Sequence, residues 1–378
     1  MASDTRADGD VVVFGSNGPV GTHDRANTLG PALIVGRKGS FGKINYSTQP
    51  CFAIDTTYYI DGRSTNADLR WLYYALPLLK LDALSQDTGV PGLAREFAYE
   101  QWLPALSLAE QRDIATFLDR ETAKTDALIA KKERQIALLR EKKDALINDA
   151  VTRGLDPFVR LKDSRVRWIE AIPQHWDCAP LYSRYSIQLG KMLDQKAATG
   201  LAQAPYLRNT NIQWEHVDVE DLLHMDFDPS ERRKFALMPG DLLVCEGGEV
   251  GRTAIWRGEV DLCYFQKAVH RVRPARQGEV SRFLFYVLYA AAKRDVFAIE
   301  GNKSTIVHLT AEKLRQHRFP FPPPVEQQEI VVFLDEQTGK IDALIAKVQA
   351  HIDKLREHRI ALISAAVTGR IDVREGTV

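Results

Sequence analysis

The residues that most invite a chemical reading are polar groups on glycine-rich turns. Gly36-Arg37-Lys38-Gly39-Ser40-Phe41-Gly42-Lys43 has the composition of a phosphate loop. Its spacing excludes that reading: five residues, not four, separate Gly36 from Gly42, and Ile44 stands where a Ser or Thr would hold magnesium. Arg37, Lys38, Ser40 and Lys43 suit phosphates or a guanine edge instead, with an ordinary solvated turn as the other reading. Further along, Arg208-Asn209-Thr210-Asn211 offers Asn209 and Asn211 to adenine edges, or equally to turn formation. Glu246 and Glu249 are suited to accept from cytosine amino groups, and Arg208, Arg252 and Lys303 to reach acceptors or phosphates. The nine histidines are scattered, and His270 and His308 read as packed or solvated. Cys51, Cys178, Cys245 and Cys263 form no CxxC pair and lie near no His cluster. No convergent nucleophile, acid–base pair, metal set or cofactor loop appears, so neither catalysis nor a cofactor is expected.

The two glycine-rich turns belong to one scaffold used twice. Leu33 to Lys43 aligns with Leu242 to Arg252, each a buried strand, a glycine turn and a second strand. The turn tips differ: Arg37, Lys38 and Ser40 become Glu246, Gly247 and Glu249. Two copies of one scaffold with different polar tips are expected if each reads a different ligand.

A much tighter repeat surrounds them. Glu110-Gln111 opens a stretch that Glu326-Gln327 opens again, and the two run without a gap at an offset of 216 residues. Both contain Phe-Leu-Asp (Phe117 to Asp119; Phe333 to Asp335), Asp-Ala-Leu-Ile-Ala-Lys (Asp126 to Lys131; Asp342 to Lys347) and a closing Ala-Val-Thr. A repeat this long is a duplicated module, and it predicts a pseudo-twofold molecule. Leu118, Thr125, Ile129, Ile136, Leu139, Leu146 and Ala150 alternate steps of three and four, as do Leu334, Ile341, Ile345, Ile352, Leu355, Leu362 and Ala366. This is a coiled-coil seam, interrupted by Lys132 and Lys143 in the first copy. The pattern predicts two long antiparallel helices with Ile136 and Ile352 at their interface, and with Leu139 and Leu355 on the same stripe. Helix–partner contacts are expected at Glu110, Gln111, Glu326 and Gln327.

The chain of 378 residues has room for two domains besides the helices. Four blocks result: 1–107, β-rich with a helix from Asp68 to Leu84; 108–155, the first long helix; 156–323, β-rich with a helix from Ser281 to Arg294; and 324–378, the second long helix and tail. The fold class expected is α+β (mixed α/β). Fifty basic residues balance fifty acidic ones, so any attraction to nucleic acid must come from local patches. Unpaired cysteines, no apolar run of membrane length and no hydrophobic signal core point to a soluble cytoplasmic protein.

In this order the motifs resemble the DNA-specificity subunits of Type I restriction–modification systems over nearly the whole chain. Trp168-Ile169-Glu170-Ala171-Ile172-Pro173-Gln174-His175-Trp176 resembles the opening of a target recognition domain in that family. Phe14-Gly15-Ser16-Asn17-Gly18 and Gly36 to Lys43 resemble internal motifs. Phe319-Pro320-Phe321-Pro322-Pro323-Pro324-Val325-Glu326-Gln327 resembles the Pro-rich entry to a long helix, with Leu103 to Gln111 as its counterpart. The resemblance implies two target recognition domains, each reading half of a split double-stranded DNA site and held apart by the helices. It also implies methyltransferase subunits, two in number, and restriction–translocase subunits as partners. The alternative is a half-subunit or coiled-coil adaptor that joins methyltransferases without full recognition. That alternative arises because the Trp168–Trp176 element precedes its glycine turn by about 75 residues. The first block has room for roughly 40 fewer than that, so its opening strands are expected to be absent.

Overall fold

In the computed structural model, which describes residues 7–83, 92–192, 200–299 and 308–374, the repeated seam forms two unbroken helices, Leu108–Arg153 and Pro324–Val367. Ser107 and Glu110 start the first as a reciprocal capping box: the Glu110 carboxylate accepts from the Ser107 N–H (2.8 Å), and the Ser107 hydroxyl accepts from the Glu110 N–H (3.3 Å). Pro324 opens the second, where a missing N–H costs nothing.

The chain divides into two compact units, residues 1–135 with 347–378, and residues 136–346. Each unit holds the start of one long helix and the end of the other. In the first, Ile114, Ala115 and Leu118 share a buried cluster with Ile363, Ala366 and Val367. In the second, the repeat partners do the same: Ile330, Val331 and Leu334 cluster with Ile147, Ala150 and Val151. The helices run antiparallel in both. Asp126 pairs with Arg359 at 3.0 Å in the first unit, and their repeat partners Asp342 and Lys143 pair at 2.7 Å in the second. Ile136 and Ile352 are buried, and Leu139 and Leu355 half-buried.

The first unit carries β1 (Val11–Gly15), β2 (Gly18–His23), β3 (Ala32–Gly36), β4 (Ile44–Ser47), β5 (Phe52–Ala53) and β6 (Thr57–Asp61). They form two sheets, β2-β1-β5 and β4-β3-β6, with only the β1–β5 pair parallel. The second unit opens with β7 (Leu161–Val166), β8 (Ile169–Pro173), β9 (Asp177–Pro180) and β10 (Tyr185–Leu189). It continues through β11 (Gln203–Leu207), β12 (Ile212–Gln213), β13 (His216–Val217), β14 (Leu223–Asp226), β15 (Leu242–Cys245) and β16 (Thr253–Ile255). The last strands are β17 (Tyr264–Phe265), β18 (Val269–Pro274) and β19 (Arg318–Phe321). Its sheets β14-β11-β17 and β16-β15-β18 repeat the first unit's topology, including the parallel β11–β17 pair. In the second unit β10 lies beside β18. Its counterpart β6 is an edge strand, and no described strand of the first unit corresponds to β7–β10.

Each β-rich block is fastened to its long helix by the same polar latch. In the first unit Arg70 Nε (2.7 Å) and the Tyr74 hydroxyl (2.6 Å) both donate to Asp119, beside Thr122. In the second, Arg282 Nε (2.8 Å) and the Tyr286 hydroxyl (2.6 Å) donate to Asp335, beside Thr338. Burial raises both tyrosine hydroxyls above their ordinary value, which keeps them donors. Gln111 and Gln327 form a second matched latch. Each amide oxygen accepts a backbone N–H, from Asp68 (2.7 Å) or Val280 (3.0 Å), and each amide nitrogen donates to a carbonyl just before its helix. Gln111 and Gln327, expected to face a partner, are both buried, with their amides bonded within their own unit. Glu110 caps its own helix, and Glu326 takes His175 Nε2 at 2.8 Å. The helix expected over Asp68–Leu84 is shorter, Leu69–Ala75 followed by 3₁₀ turns, because Pro77 cannot continue an α-helix.

Candidate nucleic-acid interface

The two glycine hairpins have the same backbone. Gly36 N–H donates to Lys43 C=O at 2.8 Å and Gly42 N–H to Gly36 C=O at 2.9 Å; Cys245–Arg252 and Gly251–Cys245 repeat the bonds at 2.8 and 3.0 Å. Gly39 and Gly248 have φ of +73° and +74°, and Gly42 and Gly251 +75° and +83°. At the latter pair a Cβ would lie 2.3 Å from Asp82 N or 2.4 Å from Phe297 Cδ2, so neither position admits a side chain.

The cation that ends each hairpin also has one job in both copies. Lys43 Nζ donates to Asn17 Oδ1 (2.7 Å) and to its C=O (2.9 Å), and Arg252 Nη2 donates to Asn209 C=O (2.9 Å). Asn17 and Asn209 each follow the first strand of the β1 or β11 sheet by two residues. These cations tie the hairpin to the tip loop in both copies.

In the second unit the ends of β11, β15 and β18 border an open cleft of about 660 Å³. Asn209, Glu246, Gln266, Lys267, His308 and Thr310 line it. The Glu246–Gly248 turn closes on two of them: a Cβ on Gly247 would lie 3.3 Å from His308 Nδ1, and one on Gly248 3.7 Å from Asn209 Nδ2. Ala268, also lining it, is held at φ +91°, a left-handed conformation that an L side chain resists. Beneath lies His270, fully buried, whose Nε2–H donates to the Leu309 carbonyl at 2.6 Å. Burial holds that imidazole below its ordinary value.

Not every expected residue joins this cluster. Asn211 is buried, with its amide oxygen accepting the Arg208 N–H (2.9 Å) and its amide nitrogen donating to Asp218 C=O (3.0 Å). Arg208 is tied to the Asp221 carboxylate at 2.8 Å. Asn211 thus braces the loop from inside, whereas the Arg208 pair lies at the surface. Glu249 accepts from Trp214 Nε1 at 2.6 Å and sits outside the cavity lining. Lys303 lies outside the described residues. Gln266 and Lys267 were not singled out in the sequence; their signal was position, directly before β18 and opposite the glycine turn. In the first unit the hairpin tip presents Arg37, Lys38 and Ser40, all exposed, with Arg37 over the Tyr58 ring at 5.6 Å.

Burial pushes the Cys245 thiol up to about 11 and Cys263 up to about 12, away from nucleophilic use. Among the described residues no group of three or more His, Cys, Asp or Glu could hold a metal, and no helix is long and apolar enough to cross a membrane.

Residues 2–138 and 190–354 match the family model of the Type I restriction modification DNA specificity domain. The chain belongs to that family. Among curated relatives, the EcoBI specificity subunit of Escherichia coli is 23% identical over 354 residues, which span 90% of this chain and 73% of that protein. The EcoKI specificity subunit of Escherichia coli K12 is 28% identical over 276 residues, 71% of this chain and 57% of that one. The StySPI subunit of Salmonella potsdam, 23% identical, is likewise spanned over 57% of its length. Among solved structures, a chain from a study of assembly and conformational transition in a type I restriction–modification system aligns with a TM-score of 0.68 at 15% identity, covering 90% of this chain and 82% of that one. The HsdS subunit of Thermoanaerobacter tengcongensis aligns at 0.50 and 15%, covering 90% and 81%. Both share the fold of this chain.

Proposed function

We propose that this specificity-domain protein is a non-catalytic DNA-recognition subunit that reads a bipartite duplex site and directs methyltransferase and restriction–translocase subunits to it. One observation carries the reading. The two hairpins share hydrogen bonds and glycine conformations yet present opposite chemistry, Arg37 and Lys38 at one tip and Glu246 at the other. A duplicated scaffold with unlike tips is what reading two unlike half-sites requires.

In this reading Asn209, Glu246, Gln266 and Lys267 contact base edges of one half-site. Arg37, Lys38 and Ser40 contact the other half-site or its phosphates. Lys43 and Arg252 hold the loops that carry the readers. The long helices set the distance between half-sites and offer apolar residues to methyltransferase helices. Leu128 and Leu344, repeat partners, are 38% and 41% exposed, and Leu138 is 64% exposed.

The test is mapping of methylated bases across the host genome with and without this gene, combined with selection from a randomised duplex pool by the complex with its methyltransferase. A split motif that appears only with the gene supports the reading. A methyltransferase complex that assembles on the chain but selects no sequence would favour an adaptor.

A further inference from the structure

A second cavity, about 620 Å³, lies in the second unit, and none of its lining residues belongs to the glycine hairpin. Five cations line it: Arg165 and Arg167 from the β7–β8 hairpin, Arg294 after the helix Ser281–Lys293, Lys313 from the helix Ala311–Gln316, and Arg318 at the start of β19. Glu312 is its one carboxylate among the described residues. Four positive charges are thus left over in a chain whose formal net charge is zero. The cations are aimed by neutral partners. Arg294 Nη1 donates to Asn148 Oδ1 at 3.1 Å, and Arg318 Nη2 donates to the Cys178 carbonyl. The turn carrying Arg165 and Arg167 is fixed by Asp163 Oδ1, which accepts the Arg165 N–H at 2.8 Å. Val166, Trp168 and Val296 complete an apolar wall.

Like charges gathered from separate elements repel one another, and a cleft lined by one sign of charge attracts the opposite sign. Forked guanidiniums match phosphate oxygens. The concentration is also one-sided. At the 216-residue offset, Lys313 and Arg318 are replaced in the first unit by Phe97 and Trp102. A feature common to both reading blocks would be duplicated, as the latches are.

We propose that this pocket is a phosphodiester anchor: it grips the DNA backbone next to the half-site read by the second unit and contributes affinity without sequence choice. The proposal rests on the DNA-recognition reading above. The test compares the wild-type complex with its methyltransferase against R167A/K313A, two exposed side chains from different elements. Binding is measured on a specific duplex and a random one across a salt series. The double variant should weaken both duplexes by the same factor and lower the slope of log Kobs against log salt by about 1 to 2. R167K/K313R should keep the slope, because charge is what matters. Unchanged slopes on both duplexes would overturn the anchor, as would an altered base preference. Loss of methyltransferase co-purification with the DNA slope intact would show a protein contact instead and overturn it too. A wild-type complex that binds neither duplex would remove the recognition reading, and the anchor with it.

Discussion

Asn209 and Asn211 are two residues apart, and the structure gives them opposite fates. Asn209 faces the tip cavity, whereas Asn211 is buried with its amide engaged on both sides. N209A should therefore shift base preference, at about 1–3 kcal/mol for a lost base contact, and leave the melting temperature nearly unchanged. N211A should leave preference alone and destabilise by about 1–3 kcal/mol, since it orphans buried partners. Selection from a randomised pool at fixed salt, beside thermal melts, checks both, and the reverse pattern would mean the cavity has been misassigned. His270 adds a pH dependence. Its folded value is depressed by burial, so below about pH 6.5 the unfolded chain takes up a proton that the folded chain does not. Stability should thus be full above that pH and fall as pH drops. Thermal melts between pH 7 and 5 should show a steeper loss in wild type than in H270Q, whose amide can still donate to Leu309. Parallel curves would contradict it.

Among elements, the long helices and glycine hairpins were legible because their signals are local and periodic: a three–four seam, and glycines where only positive φ fits. The latches were less so. Arg70 and Tyr74 recur as Arg282 and Tyr286, and Asp119 and Thr122 as Asp335 and Thr338, so the signal was present. What hid it was the intervening sequence, since the two halves of each latch lie about fifty residues apart. The short strands β12, β13 and β17 were not legible either, because two residues carry no period. The latches make a quantitative prediction. Y74F and Y286F each remove one hydrogen bond to a carboxylate and should each cost roughly 1–3 kcal/mol. They lie in different units, so the double variant should cost the sum within a few tenths of a kcal/mol. Chemical denaturation measures this, and strong non-additivity would mean the two latches report on one another.

At the scale of the whole molecule, duplication ties assembly to spacing. Leu128 and Leu344 are matched, exposed and apolar, on helices whose seams are already filled. L128E and L344E should each weaken methyltransferase co-purification while leaving the unfolding free energy within about 0.5 kcal/mol of wild type. Full retention by the double variant would move the docking face elsewhere. Spacing can be tested on the same helices. Inserting seven residues after Arg134 and seven after Ala350, which are related by the repeat, preserves the seam phase. It lengthens the pair by about 10 Å at 1.5 Å per residue, equal to about three base pairs at 3.4 Å. Three base pairs also turn the second half-site by roughly 100° at 10–10.5 pairs per turn, whereas a heptad turns the helix face by only about 20°. The insertion should therefore abolish selection of the original spacer. Any new preference should centre about three pairs longer, with lower affinity because translation is matched and rotation is not. Duplexes with spacers varied one pair at a time read this directly, and an unchanged spacer preference would show that the helices are not the ruler.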